Sequence, residues 1–231
     1  MRQKIQWGYL LVLTLVVSAG CATLPQVVSR ETPSLDGTGM PWALTYLFTN
    51  DSRQFIHSIE LTLPGDHSAM FMGVLNIHPR NRAVHCVIMT LEGLILFDAE
   101  NTGDNLVIHR AVPPFDSQAF ARGLISDIEL IFFRPKIPLA ESGSLEDHSK
   151  ILRFSESNGG TTDIIVSQDR NLWSLTQRSC THQVRRHIRY MFQSLPEDPI
   201  LPVFPTSITL TATFPSRYTL TMTLIETRLI P

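Results

Sequence analysis

Ile59, Leu61 and Leu63 alternate with Glu60 and Thr62, and Pro64-Gly65-Asp66-His67 ends the run with turn chemistry. Met70, Met72 and Val74 then interleave with Phe71, Gly73 and Leu75, so the next strand is apolar on both faces. Residues 83–91 read as a third strand closed by Glu92-Gly93, and 94–97 as a fourth. A turn at Asn101-Thr102-Gly103-Asp104 leads into Leu106-Val107-Ile108. Short alternating runs joined by tight turns predict an antiparallel meander.

The period changes after Pro113-Pro114. Asp116 or Ser117 can cap a helix, and Phe120, Leu124, Ile128 and Phe132 then recur four apart, with Ile125 and Ile131 beside them. Gln118, Arg122, Ser126 and Glu129 take the other side, and Arg134-Pro135 stops the helix. Residues 135–149 read as a long loop. Strands resume at 151–154, 162–166 and 171–176. Residues 178–193 fit helix or strand, and the prolines of 195–205 impose irregular backbone. Thr-rich alternation over 208–211 and 218–225 predicts a closing hairpin around Pro215-Ser216, one face on a core and one in water.

The N-terminus follows another logic. A basic start (Arg2, Lys4) precedes an apolar run over residues 5–17, then Ser18-Ala19-Gly20-Cys21. That is the order of an export leader. The apolar run is shorter than the ~20 residues a bilayer span needs. Residues 18–21 resemble a lipobox, although Ser18 stands where Leu or Val is usual. The resemblance implies that the Cys21 thiol accepts a diacylglycerol; the alternatives are an ordinary secreted chain cut after Gly20 or an uncut signal anchor. The chain divides into the leader (1–20), the lipidated cysteine with a flexible tether (21–43) and one folded domain (44–231).

Without Arg2 and Lys4 the chain has 17 basic side chains against 21 acidic ones, a formal charge of −4, which argues against nucleic acid as a partner. With Cys21 lipidated, Cys86 and Cys180 remain. In an oxidising compartment they either form a disulfide or pack as small apolar thiols, and the sequence leaves both open. No GxSxG, HExxH or P-loop occurs, and the eight histidines are scattered, so no catalytic residue, metal site or cofactor is expected. One cationic cluster, Arg178, Arg185, Arg186 and Arg189, is a candidate contact for lipid headgroups or an acidic partner; a solvated strand or helix face is the bland alternative.

Taken together, the leader, the lipobox, the meander, one amphipathic helix ending in aromatic-x-Pro and the C-terminal hairpin resemble the LolA/LolB class of lipoprotein carriers and receptors, and LolB-related bacterial lipoproteins in particular. The likeness is carried by Met89-Thr90-Leu91-Glu92-Gly93-Leu94-Ile95-Leu96-Phe97, the 105–108 strand, Phe133-Arg134-Pro135 and the terminal pair of strands. It implies a mainly β fold with few helices (α+β): a strongly curved antiparallel sheet, like an incomplete barrel, with helix 116–133 as a lid over an apolar hollow. Met70, Met72, Met89, Leu91, Phe97, Phe120, Leu124, Ile128 and Phe132 are the candidate acyl-chain cavity. The implied function is to bind acyl chains or lipoproteins and aid their outer-membrane delivery, without catalysis and with a periplasmic carrier as a candidate partner. Ala22, not Asp, after Cys21 is similar to outer-membrane lipoproteins, which places the anchor on the periplasmic face of that membrane. Two rivals remain: a structural or adaptor lipoprotein with a filled core and a protein partner, and an enzyme of envelope lipid or glycan.

Overall fold

The computed structural model describes residues 24–30, 47–65, 67–193 and 204–231. Leader, Cys21 and most of the proline-rich 195–205 stretch lie outside the described residues.

The chain order begins with β1 (Ser29–Arg30), β2 (Arg53–Leu63), β3 (His67–His78), β4 (Ala83–Met89), β5 (Ile95–Thr102) and β6 (Asn105–Ala111). Helix α1 (Gln118–Phe132) follows. Then come β7 (Leu139–Ser144), β8 (Lys150–Ser155), β9 (Thr161–Val166), β10 (Leu172–Arg178), β11 (Val184–Met191), β12 (Ser207–Ala212) and β13 (Tyr218–Leu229). Among the described residues the strands make one antiparallel sheet in the order β1-β7-β8-β9-β10-β11-β12-β13-β2-β3-β4-β5-β6, and no pairing joins its two edges.

Alternation sorts each strand into two faces. Phe55, Leu75, Cys86, Phe97, Leu152, Ile164, Leu175 and Ile188 point inward into one core that includes the buried side of α1. A flat sheet would separate β5 from β8 by nine strand spacings, roughly 43 Å, yet Phe97 and Leu152 share that core. The sheet therefore curls around the helix. Unpaired extra residues in β5, β6, β7, β11 and β13 supply bends, because an extra residue kinks a strand and adds twist.

The turns explain much of the meander. In five connections a residue with positive φ donates its N–H to the carbonyl three residues earlier: Gly93, His148, Gly159, Arg170 and His182. Two of these are the glycines the conformation favours; the other three are L-residues.

Helix α1 matches its expectation closely. Ser117 is the N-cap, its hydroxyl accepting from the Phe120 N–H at 3.1 Å. Other expectations change. The supposed loop 135–149 contains β7, whose polar, small residues concealed a strand paired with β1 and β8. The ambiguous 178–193 segment is mostly β11, fixed by pairing on both sides. Part of the expected tether is docked: β1 pairs with β7, Ser29 opposite Ser144 and Arg30 opposite Gly143. Of the two alternatives left open for Cys86 and Cys180, the disulfide is absent and both thiols are free, but only Cys86 packs as a buried apolar group. Cys86 faces the core from β4, Cys180 is exposed in the β10–β11 turn, and six strand spacings separate β4 from β10.

Candidate functional site

The cleft lies where the C-terminal half of α1 meets the concave face. Ile131 and Phe132 come from the helix, Phe55 and His57 from β2, Tyr190 from β11, Ile208 from β12 and Leu224 from β13, with Leu47, Phe204 and Pro205 completing the lining. Rings dominate it: Phe55 lies 5.2 Å from Phe132 and 5.3 Å from Phe204 between centroids. About 290 Å³ of space lies between these walls, continuous with solvent. Only about 10 Å³ of it admits the centre of a water-sized sphere, room for about one water, so the cleft as it stands is far smaller than the roughly 300–1,000 Å³ of ligand pockets. The cleft is the seam between helix and sheet and not an open hollow.

Polar groups tie the helix into this apolar surround. Asp127 is buried on the inner side of α1, and its carboxylate accepts from Arg186 Nε at 2.8 Å and from the Tyr218 hydroxyl. Arg186 also donates to the Arg185 and Phe214 carbonyls. The buried Tyr190 hydroxyl donates to the Ile131 carbonyl at 3.1 Å. At the helix end Arg82, in the β3–β4 turn, donates to the Arg134 carbonyl at 3.0 Å and covers the Phe133 ring. Burial beside Asp127 raises the Tyr218 pKa, so its hydroxyl keeps its proton and remains a donor. Burial lowers His57 from 6.5 to about 4, so the cleft contains a neutral imidazole at neutral pH.

A second polar cluster lies on the opposite face of the sheet. Arg153 donates to Asp163 through Nε at 2.7 Å, to Glu141 at 3.0 Å and to the Pro25 carbonyl at 2.9 Å. Arg178 donates to the other Asp163 oxygen at 2.8 Å. Asp163 is fully buried.

The expected cavity residues separate. Phe97, Phe120, Leu124, Ile128 and Phe132 belong to the inner core or pack on it, and of these Phe132 lines the cleft. Met70, Met72 and Met89 are on the outer face, since Met72 pairs with Ser58 and Met89 in register while Gly73 and Leu75 point inward. Leu91 is 59% exposed in the β4–β5 turn. A strand apolar on both faces gives no sign of which face is inside, and the three methionines lie on the side away from the cleft instead of lining it. The four arginines are likewise not one patch. Arg186 points inward to Asp127, Arg178 joins the outer cluster, and Arg185 and Arg189 are exposed. Ordinary strand alternation produces this split: Arg186 shares the inner face of β11 with Ile188 and Tyr190, Arg189 shares the outer face with His187, and Arg178 follows Thr176 on the outer face of β10.

Asp127, Tyr218, Tyr190 and His57 were not anticipated. For Asp127 a signal existed: it falls three residues after Leu124 and four before Ile131, an acid inside an apolar stripe. Tyr218 reaches Asp127, and His57 the cleft, only through the pairing of distant strands, which no local pattern encodes. Among the described residues no group of three or more His, Cys, Asp or Glu side chains is placed to hold a metal ion.

The fold is LolA-like. A LolA superfamily protein from Nitrosomonas europaea superimposes with a TM-score of 0.57 at 15% identity, over 82% of this chain and 91% of that one. A putative outer membrane lipoprotein-sorting protein domain from Vibrio parahaemolyticus gives a TM-score of 0.46 at 6% identity, over 78% and 85%. No family model matches the sequence, and no curated protein matches it significantly.

Proposed function

We propose that this protein is a lipid-anchored protein of the bacterial cell envelope that takes the acyl chain of a lipoprotein, or of a similar amphiphile, onto its concave face when α1 lifts. The observation that carries this reading is the arrangement of α1 itself. Among the described residues one amphipathic helix, α1, fills a curled apolar trough, and a few identifiable hydrogen bonds, not a closed barrel wall, keep it there.

The energetics suit exchange. Ile125, Ile128, Ile131, Phe132 and Phe120 bury the helix face, and at roughly 1.5–3 kcal/mol each that contact is worth about 10 kcal/mol. One acyl chain of about 14 methylenes, at ~0.8 kcal/mol each, recovers a similar amount. Loading and release are then near balance, as a carrier requires. The fold shared with the Nitrosomonas protein, a LolA superfamily member, supports the reading. Export by the leader, lipidation at Cys21 and outer-membrane placement belong to the same proposal, and cargo is carried without chemistry.

The narrow cleft favours a second reading, an adaptor whose core stays filled. Native mass spectrometry of the protein purified without detergent separates them. A carrier shows bound lipid or acylated peptide, lost in a folded Ile128→Asp variant. An apo mass with no uptake of added palmitate contradicts the carrier and leaves the adaptor.

A further inference from the structure

Residues 24–30 are a strap. The Val28 N–H donates to the Ser144 carbonyl at 2.9 Å, Ser29 and Arg30 pair with β7, and Arg30 Nε donates to Glu141 at 3.0 Å. Gly143 fits only because it lacks a side chain: a Cβ there would lie 2.0 Å from the Ser29 carbonyl oxygen. The Pro25 carbonyl accepts from Arg153, which faces away from α1, so the strap runs over the outer face of β8.

This fixes where an anchor begins. Only three peptide units separate Cys21 from Leu24, a reach of roughly 11 Å at full extension. A free tether over 22–43 would have reached several times farther and permitted any orientation.

The outer face near the strap has its own character. Arg153, Asp163, Thr176 and His187 lie side by side in register across β8 to β11, three strand spacings or roughly 14 Å. Arg189 is two residues beyond His187 on that face, and Arg185 sits exposed at the bulge; neither has a carboxylate within 4 Å among the described residues. Leu172 and Met191, a register pair beside them, are 43% and 57% exposed. The far end of the same face carries Glu60, Asp98, Glu100 and Glu226 against Arg110 and Arg228.

We propose that the strap holds the outer face of β8–β11 against the anchoring bilayer, where Arg185 and Arg189 meet acidic phospholipid headgroups and Leu172 and Met191 meet the interface. The inference rests on lipidation of Cys21 as proposed above. Cationic side chains near an anionic surface each add attraction on the order of 1 kcal/mol, so a lipid and two arginines together set an orientation. The concave face and α1 then open away from this membrane, toward arriving cargo.

The test uses the full lipidated protein in vesicles of phosphatidylethanolamine and phosphatidylglycerol containing a headgroup-spin-labelled lipid. Cys180 takes a fluorophore, while Cys86, buried with its thiol pushed up to about 12 by burial, does not. The comparison probe is Asp104→Cys in the β5–β6 turn, in a Cys180→Ser background. Quenching several-fold stronger at Cys180 than at 104 is expected. A long glycine-serine insert between Ala22 and Thr23, which leaves the strap intact, should even out the two sites, as should Gly143→Val where it folds. Arg185→Glu with Arg189→Glu should weaken Cys180 quenching in these vesicles and not in phosphatidylcholine. Equal quenching at both sites, in protein whose mass shows diacylglycerol on Cys21, overturns the orientation and leaves the anchor standing. A mature chain without that lipid overturns the anchor, and the orientation with it.

Discussion

The two polar clusters of this protein sit on opposite faces of one sheet and do different work. On the outer face, Asp163 is shared by Arg153 and Arg178, and Arg153 reaches Glu141 and the Pro25 carbonyl. Every partner there lies on a strand or on the strap, so the cluster staples neighbours that have no reason to part. On the inner face, Asp127 alone carries the side-chain link between α1 and the pair Arg186 and Tyr218. That link joins a helix to a sheet, and it can break without disturbing strand pairing. The difference separates a rigid scaffold from a releasable element.

Asp163→Ala should have the largest effect. Two buried guanidiniums lose their shared carboxylate, and removing one partner of a buried ion pair costs about 4 kcal/mol. Urea unfolding should show that loss as one cooperative shift, with no preferential loosening of α1.

Acid should act next, and on the inner face. The folded pKa of His57 is about 4 against 6.5 unfolded, so the unfolded state takes up the proton first. The stability contribution is complete above pH 6.5 and declines as pH falls through 6.5 toward 4, by up to about 3 kcal/mol. Thermal unfolding across that window should show the decline, and His57→Leu should flatten it.

Asp127→Ala should cost less, about 2 kcal/mol, because Arg186 retains the Arg185 and Phe214 carbonyls. Its signature is local: amide exchange in α1 should rise ahead of the sheet, and an apolar fluorescent probe should bind more strongly. Smallest of all, His182→Gly should stabilise the protein by about 1 kcal/mol, since His182 holds φ 61 in its turn. Its melting temperature should rise, with no change in α1 exchange.

The sequence revealed periodicity and missed sidedness. Helix α1 was legible to within its cap, because Ser117 and the Phe120–Leu124–Ile128–Phe132 spacing are local signals. The meander was legible through its turns. The facing of β3 was not, since Met70 and Met72 are as apolar as Phe71 and Leu75 and only pairing with β2 and β4 decides which side is inside. Strand β7 was hidden by its small polar residues, whose partners lie in the strap more than a hundred positions earlier. The cleft was half legible. Phe132 was expected there, whereas His57, Tyr190 and Leu224 arrive from strands distant in sequence.

The carrier reading depends on α1 giving way to an acyl chain. Hydrogen exchange of the detergent-free protein, with and without a diacylated lipopeptide, tests this most directly. Release of α1 predicts faster exchange over 118–132 on loading, with β2, β11, β12 and β13 unchanged or better protected. Identical exchange in α1, with the lipopeptide demonstrably bound elsewhere or not at all, would contradict it.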